Sequence, residues 1–262
     1  MIKSIEITNK YPQIEKATFK EAKELYSKYN ILMSNNELSN LVFKTLGVKL
    51  EKDDDSRKIV NTVTNYNYPN EIAIKSSFVN NVLLKQKNQI TIFELNVGEC
   101  RADLCKINGK STVYEIKTDL DNFRRLDKQI YEYSSIFEET YIICSEKRIN
   151  EVIRIVPEFV GIYSYRFTAK KNYRFEKIRN ATQSPNINKY KQLLILTSRE
   201  KSFYSINEKS NINEVNKCLK LALKDRYKDK WNFLSENCNN IFEIDYQWFY
   251  KNCINPKIIY SY

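Results

Sequence analysis

The hydrophobic pattern of this chain changes its period near residue 89. Before that point Ala17, Ala22, Leu25, Tyr26 and Tyr29 recur at helical spacing and predict a helix over 14–30. A second helix fits 36–46, opened by Asn35 or Asn36 and stopped by Gly47. The run Glu51-Lys52-Asp53-Asp54-Asp55-Ser56 reads as a solvated linker or loop, its aspartates included. From residue 89 the apolar runs shorten. Ile90–Leu95, Ala102–Ile107 and Ser111–Lys117 predict strands, the last two flanking Asn108-Gly109, a strong hairpin signal. Leu120, Phe123, Leu126, Ile130, Tyr133 and Phe137 then repeat at intervals of three and four. They predict a helix over 120–137, capped by Thr118 or Asp119 with Asp121 in its first turn. A strand at 139–145, a helix at 147–155 and a strand at 159–165 come next. After residue 186 the pattern is helical again, at 191–196 and 213–224. Trp231, Phe233, Trp248 and Phe249 are expected to pack this end.

Strands, hairpin, helix and strand in that order give a mixed α/β class. The division expected is an N-terminal helical region over 1–80, a sheet core over 81–185 and a basic C-terminal helical region over 186–262. No apolar run approaches the roughly 20 residues needed to span a bilayer, and Met1-Ile2-Lys3-Ser4-Ile5-Glu6 lacks the apolar block of a secretory signal. A cytoplasmic protein with no membrane partner is expected.

Composition narrows the chemistry. The 262 residues include no histidine, which excludes a Ser-His-Asp triad, a Cys-His pair and His-ligated zinc. The six cysteines form no CxxC pair and read as reduced, packed thiols. Hydrolysis would have to run on carboxylates, lysine, tyrosine and a hard metal that prefers oxygen ligands. The net charge is +11, and residues 151–262 carry 20 Lys/Arg against 11 Asp/Glu. A basic excess among aromatic residues suits a polyphosphate partner.

One constellation meets that chemistry. Asp103 lies on the first strand of the expected hairpin, and Glu115 and Lys117 share a face of the second. Glu94 offers a third carboxylate from the preceding strand. Paired carboxylates on neighbouring strands can hold one or two divalent ions, which lower the pKa of bound water and clamp charge on a scissile phosphate. Lysine can steady that charge or orient the attacking water. The geometry sets a condition. A strict two-residue Asn108-Gly109 turn would pair Ile107 with Lys110 and send Glu115 to the face opposite Asp103. A three-residue turn or a one-residue bulge is therefore required, and a bulge is expected, since bulges are common beside active sites.

Asp103, then Glu115-x-Lys117, then a helix carrying Gln129-x-x-x-Tyr133, resembles the PD-(D/E)XK nuclease superfamily. The Gln-xxx-Tyr element is similar to that of its RecB-type and exonuclease branches. The longer string from Arg101-Ala102-Asp103-Leu104 through Tyr114–Asp121 to Arg125, Leu126 and Gln129 also resembles a bacterial, mobile-element-associated family in that superfamily. The proline of the motif's name is absent, with Ala102 in its place. The resemblance implies a restriction-endonuclease-like mixed sheet core with helical N- and C-terminal additions. It implies a Mg²⁺- or Mn²⁺-dependent nuclease acting on DNA, in phage defence or mobile-element biology. Asp103, Glu115 and Glu94 would be the metal ligands and Lys117 the catalytic lysine, with Gln129 and Tyr133 lining the site. Arg125 has two readings, a phosphate contact or an i,i+4 pair with Asp121. Lys177, Arg179 and Lys171 are expected to share one face of a strand as a basic ridge that tracks a nucleic-acid backbone. Two other functions stay open: a nucleic-acid-binding module without turnover, and a protein-interaction module on the same fold. The oligomeric state, a homodimer included, is open too.

Overall fold

A computed structural model describes residues 7–169 and 172–261. Residues 1–6, where a secretory signal would begin, lie outside the described residues, as do Lys170 and Lys171. The chain divides into two compact units. Among the described residues one comprises 7–77, 172 and 234–261, and the other 78–169 and 173–233. The segment expected as one C-terminal region over 186–262 is thus shared between the two.

The first unit is helical. Helices α1 (Phe19–Lys28), α2 (Asn35–Leu46), α3 (Ser56–Asn67) and α4 (Glu71–Phe78) occur in order. Thr18 with Glu21 and Ser34 with Glu37 form capping boxes that start α1 and α2. Ser34 caps α2 one residue before the asparagines expected to open it. Asp55, from the polar run, caps α3 by accepting the Lys58 N–H. Leu25, Leu38, Val42, Val60 and Val63 form the core, joined by Ile244 of the C-terminal segment. Arg57 is buried; its guanidinium donates to the carbonyls of Ile31 and Met33 and to the Tyr29 hydroxyl.

The second unit is a mixed α/β layer. Its six strands are β1 (Ile90–Val97), β2 (Cys100–Asn108), β3 (Lys110–Lys117), β4 (Glu139–Ser145), β5 (Gly161–Phe167) and β6 (Tyr173–Arg179). They lie in that spatial order; β3–β4 and β4–β5 pair parallel and the remaining neighbours antiparallel. Its helices are α5 (Leu126–Ser134), α6 (Ile149–Ile155), α7 (Lys189–Ile195), α8 (Ser198–Phe203) and α9 (Ile212–Asn237). Leu126 and Ile130 of α5 and Val152 of α6 pack on Ile142, Cys144 and Ile162, which project from one face of the sheet. On the other face Tyr114, Tyr141 and Tyr163 line up across β3, β4 and β5, and Phe78 packs against Tyr114, Tyr163 and Phe175. Trp231 is buried. Among the described residues no helix is long and apolar enough to cross a membrane.

The second unit departs from the expected pattern at two places. The expected helix 120–137 begins at Leu126. Ahead of it Asp121 accepts from the N–H and hydroxyl of Thr118, a closed turn rather than a helical start. The Arg148 side chain donates to the carbonyls of Thr118 and Asp121 and stacks on Phe123 at 3.8 Å, which fixes residues 118–123 as a loop. At the sheet's far edge the β5–β6 register shifts between Ile162 and Tyr163. That irregularity places Lys177 opposite Tyr163 and Arg179 opposite Ile162, and so on opposite faces of the sheet.

Candidate functional site

The β2–β3 hairpin pairs Ile107 with Ser111 and Cys105 with Val113. The turn is the three-residue Asn108-Gly109-Lys110, with Gly109 at φ +71°, a conformation glycine adopts without steric cost. The turn, and not the expected bulge, sets this register, which carries Asp103 to the position opposite Glu115. Regular pairing ends at Leu104–Tyr114; beyond it the Ile116 N–H donates to the Asp103 carboxylate at 2.7 Å. Between β1 and β2 the pairing lapses at one position, where Glu94 falls opposite Asp103. Glu94 has φ +54°, left-handed backbone in the middle of a strand. A bulky residue takes that conformation only where its surroundings hold it there, and such residues cluster at functional sites.

Glu94, Asp103 and Glu115 therefore follow one another across β1, β2 and β3. Carboxylate oxygens of Glu94 and Asp103 lie within 4.8 Å of one another. Asp103, Glu115 and Lys117 are buried and Glu94 is half-buried. This row lies on the face that α5 and α6 cover, because Glu115 is the ladder partner of Ile142.

Helix α5 completes the site. Gln129 and Tyr133, one turn apart, both reach Glu115. The Gln129 amide donates to Glu115 Oε1 and accepts from Lys117 Nζ at 2.8 Å. Lys117 Nζ also donates to Glu115 Oε1 at 2.8 Å. The Tyr133 hydroxyl lies 2.8 Å from Glu115 Oε2 and 3.0 Å from the Arg101 carbonyl oxygen. Burial raises the Glu115 carboxyl above the usual carboxylate range, and Lys117 with the two helix donors pulls against that rise. Burial likewise raises Tyr133, with the Glu115 charge adding to it, so the phenol stays a proton donor.

The structure thus brings Glu94, Asp103, Glu115, Lys117, Gln129 and Tyr133 together. It does not bring the expected basic residues to them. Lys177 projects from the opposite face, its ammonium 5.9 Å and 5.5 Å from the ring centroids of Tyr141 and Tyr163. Arg179 donates to the carbonyls of Val160 and Pro157, three strands from Glu115. The ridge expected from alternation along β6 is broken by the register shift, and Lys171 lies outside the described residues. Arg125 is exposed just before α5, and its expected pair with Asp121 does not form, since Asp121 faces Thr118.

One residue at the site went unassigned in the sequence. Arg101, two positions from Asp103 on β2, places its Nε 2.5 Å from the Glu94 carboxylate. Its signal was there in the alternation of a strand, which puts residues 101 and 103 on one face.

Comparisons with known proteins bear on the same region. The family described as Bacteriophage P4 protein cII matches residues 64–247, a stretch that contains the whole site from Glu94 to Tyr133. Protein cII of Enterobacteria phage P4 is 34% identical over 100 residues, which are 38% of this chain and 38% of that protein. A protein of unknown function from Silicibacter pomeroyi aligns over 43% of this chain and 73% of its own, at 17% identity and a TM-score of 0.32.

Proposed function

We propose that this chain, which belongs to the bacteriophage P4 protein cII family, is a metal-dependent phosphodiesterase of the PD-(D/E)XK type, with DNA as its expected substrate. The observation that carries the reading is the row of Glu94, Asp103 and Glu115 across β1, β2 and β3, with Lys117 on the same face. The donor set fits a hard divalent cation: it offers carboxylate oxygens and no soft ligand. Glu94, Asp103 and Glu115 would hold Mg²⁺ or Mn²⁺, which supplies a water of lowered pKa and a clamp for phosphoryl charge.

The chain's own residues have separate tasks in this reading. Lys117 steadies charge on the phosphoryl oxygens or orients the attacking water. Gln129 holds both Lys117 and Glu115, so the ammonium and the carboxylate keep one geometry. Tyr133 pins the second Glu115 oxygen and ties it to the backbone of β2. The strand order around the hairpin supports a restriction-endonuclease-like core, and the family's phage namesake supports a setting in mobile-element biology.

A second reading rests on the same contacts. Glu115 is satisfied by Lys117, Gln129 and Tyr133 together, which is also how a nucleic-acid-binding module without turnover would keep a buried acid. Titration with Mn²⁺ followed by calorimetry separates the two. The first reading expects a saturable site in the wild type that is lost in Asp103→Asn and weakened in Glu94→Gln. Heat that is unchanged by Asp103→Asn decides for the second.

A further inference from the structure

Arg101 stands on an acid that the metal-dependent reading gives to a divalent ion. Its guanidinium pairs with Glu94, while its side chain is 68% exposed. Its backbone is anchored, since the Tyr133 hydroxyl lies 3.0 Å from its carbonyl oxygen. The residue therefore has a fixed root on β2 and a charged end free to turn at the edge of the site. A carboxylate shared between a guanidinium and a divalent cation brings two positive charges together, so occupation by one weakens the other.

The surroundings show where the displaced end could go. Lys128 of α5 pairs with Glu99, two residues before Arg101, and so sets a second cation beside the start of β2. Among the described residues Arg125 makes no ion pair and is exposed. Asn96, the ladder partner of Arg101, lines a cleft of about 340 Å³ with Glu132, Ile136, Lys191 and Leu194. A chain lying along this edge would find room on one side of Arg101 and the carboxylate row on the other.

We propose that Arg101 is a positioning residue that exchanges partners. It neutralises Glu94 while the acids are without a divalent ion. When Glu94 turns to the ion, Arg101 offers its planar fork to a phosphate of the nucleic-acid strand beside the scissile one. Guanidinium suits that task because its fork matches phosphate oxygens two at a time. The proposal rests on the metal-dependent reading of the site and names the group that would grip its substrate.

The test measures binding rather than turnover. Mn²⁺ affinity is titrated by calorimetry. Affinity for a phosphorothioate DNA duplex is measured across a range of salt, once with EDTA and once with Mn²⁺. Arg101→Ala is expected to bind Mn²⁺ about fivefold tighter, the scale of one exposed ion pair removed from competition. In Mn²⁺ its salt dependence should be shallower than wild type by about one unit of slope, and in EDTA the two should coincide. Glu94→Gln should release Arg101 and steepen the slope in EDTA by about one unit. Arg101→Lys, which keeps the charge, should hold Mn²⁺ affinity near the wild-type value. If the wild type binds Mn²⁺ but Arg101→Ala leaves both the Mn²⁺ affinity and the slope unchanged, the partner exchange is overturned and the metal site stands. A wild type that binds no Mn²⁺ overturns both.

Discussion

Glu115 and Lys117, two positions apart on β3, are joined by a buried ion pair of 2.8 Å. Breaking a buried pair leaves an uncompensated charge, which is costlier than removing the pair together. Lys117→Met should therefore destabilise the protein by about 3 kcal/mol in urea unfolding. Adding Glu115→Gln should recover part of that loss. A Lys117→Met protein as stable as wild type would mean that Glu115 is already protonated at neutral pH.

Tyr133 should contribute through its hydroxyl as well as its ring. The ring is fully buried, and the hydroxyl serves Glu115 and the Arg101 carbonyl. Tyr133→Phe keeps the packing and removes the polar contacts. It should cost about 1–2 kcal/mol in the same unfolding assay. It should also weaken Mn²⁺ binding, because Glu115 loses the donor that holds its second oxygen.

A pH effect is expected in the first unit. Asp245 is buried and accepts from Tyr29 at 2.9 Å and Tyr260 at 2.8 Å. Burial pushes its carboxyl up to about 6 against those hydrogen bonds and the nearby Arg57. A carboxyl raised on folding binds its proton more tightly in the folded state. Its contribution to stability is therefore full below pH 4 and is lost as pH rises towards 6. The change amounts to about 3 kcal/mol, from 1.36 kcal/mol per unit of pKa. Urea melts followed by Trp248, with Trp231→Phe as the background, should show this decline. Asp245→Asn should flatten it.

Lys177 should be irrelevant to nucleic-acid binding at the site. It sits on the tyrosine face, beside Tyr141 and Tyr163. Lys177→Gln should leave both the affinity for DNA and its salt slope as in wild type. A slope reduced by about one unit would show that the nucleic acid uses the opposite face.

The features legible in the sequence were those set by local rules. Alternation set the strands and placed Glu115 beside Lys117, and the four-residue spacing of Gln129 and Tyr133 placed both on one helix face. The need for an odd turn at Asn108-Gly109-Lys110 could be stated from parity alone, and the hairpin has it. The rest depended on contacts far apart in the chain. Nothing near residue 120 signals that Arg148 will hold 118–123 as a loop and delay α5 to Leu126. The register shift at Ile162/Tyr163 reverses the face of Lys177 relative to Arg179, and alternation along β6 cannot show it. The left-handed backbone of Glu94 leaves no mark in residue type either, since glutamate rarely adopts it. The Arg57–Tyr29–Asp245 network joins residues more than 180 positions apart.

The most direct measurement is cleavage itself. Labelled single- and double-stranded DNA and RNA are incubated with the wild-type protein in Mg²⁺ or Mn²⁺, in EDTA, and with Glu115→Ala beside each. Metal-dependent products are expected from DNA and should vanish in EDTA and in Glu115→Ala, while Glu115→Ala still binds DNA at least as tightly, since the deleted acid no longer repels phosphate. Products formed equally by Glu115→Ala, or no products from any substrate in either metal, would contradict the metal-dependent reading.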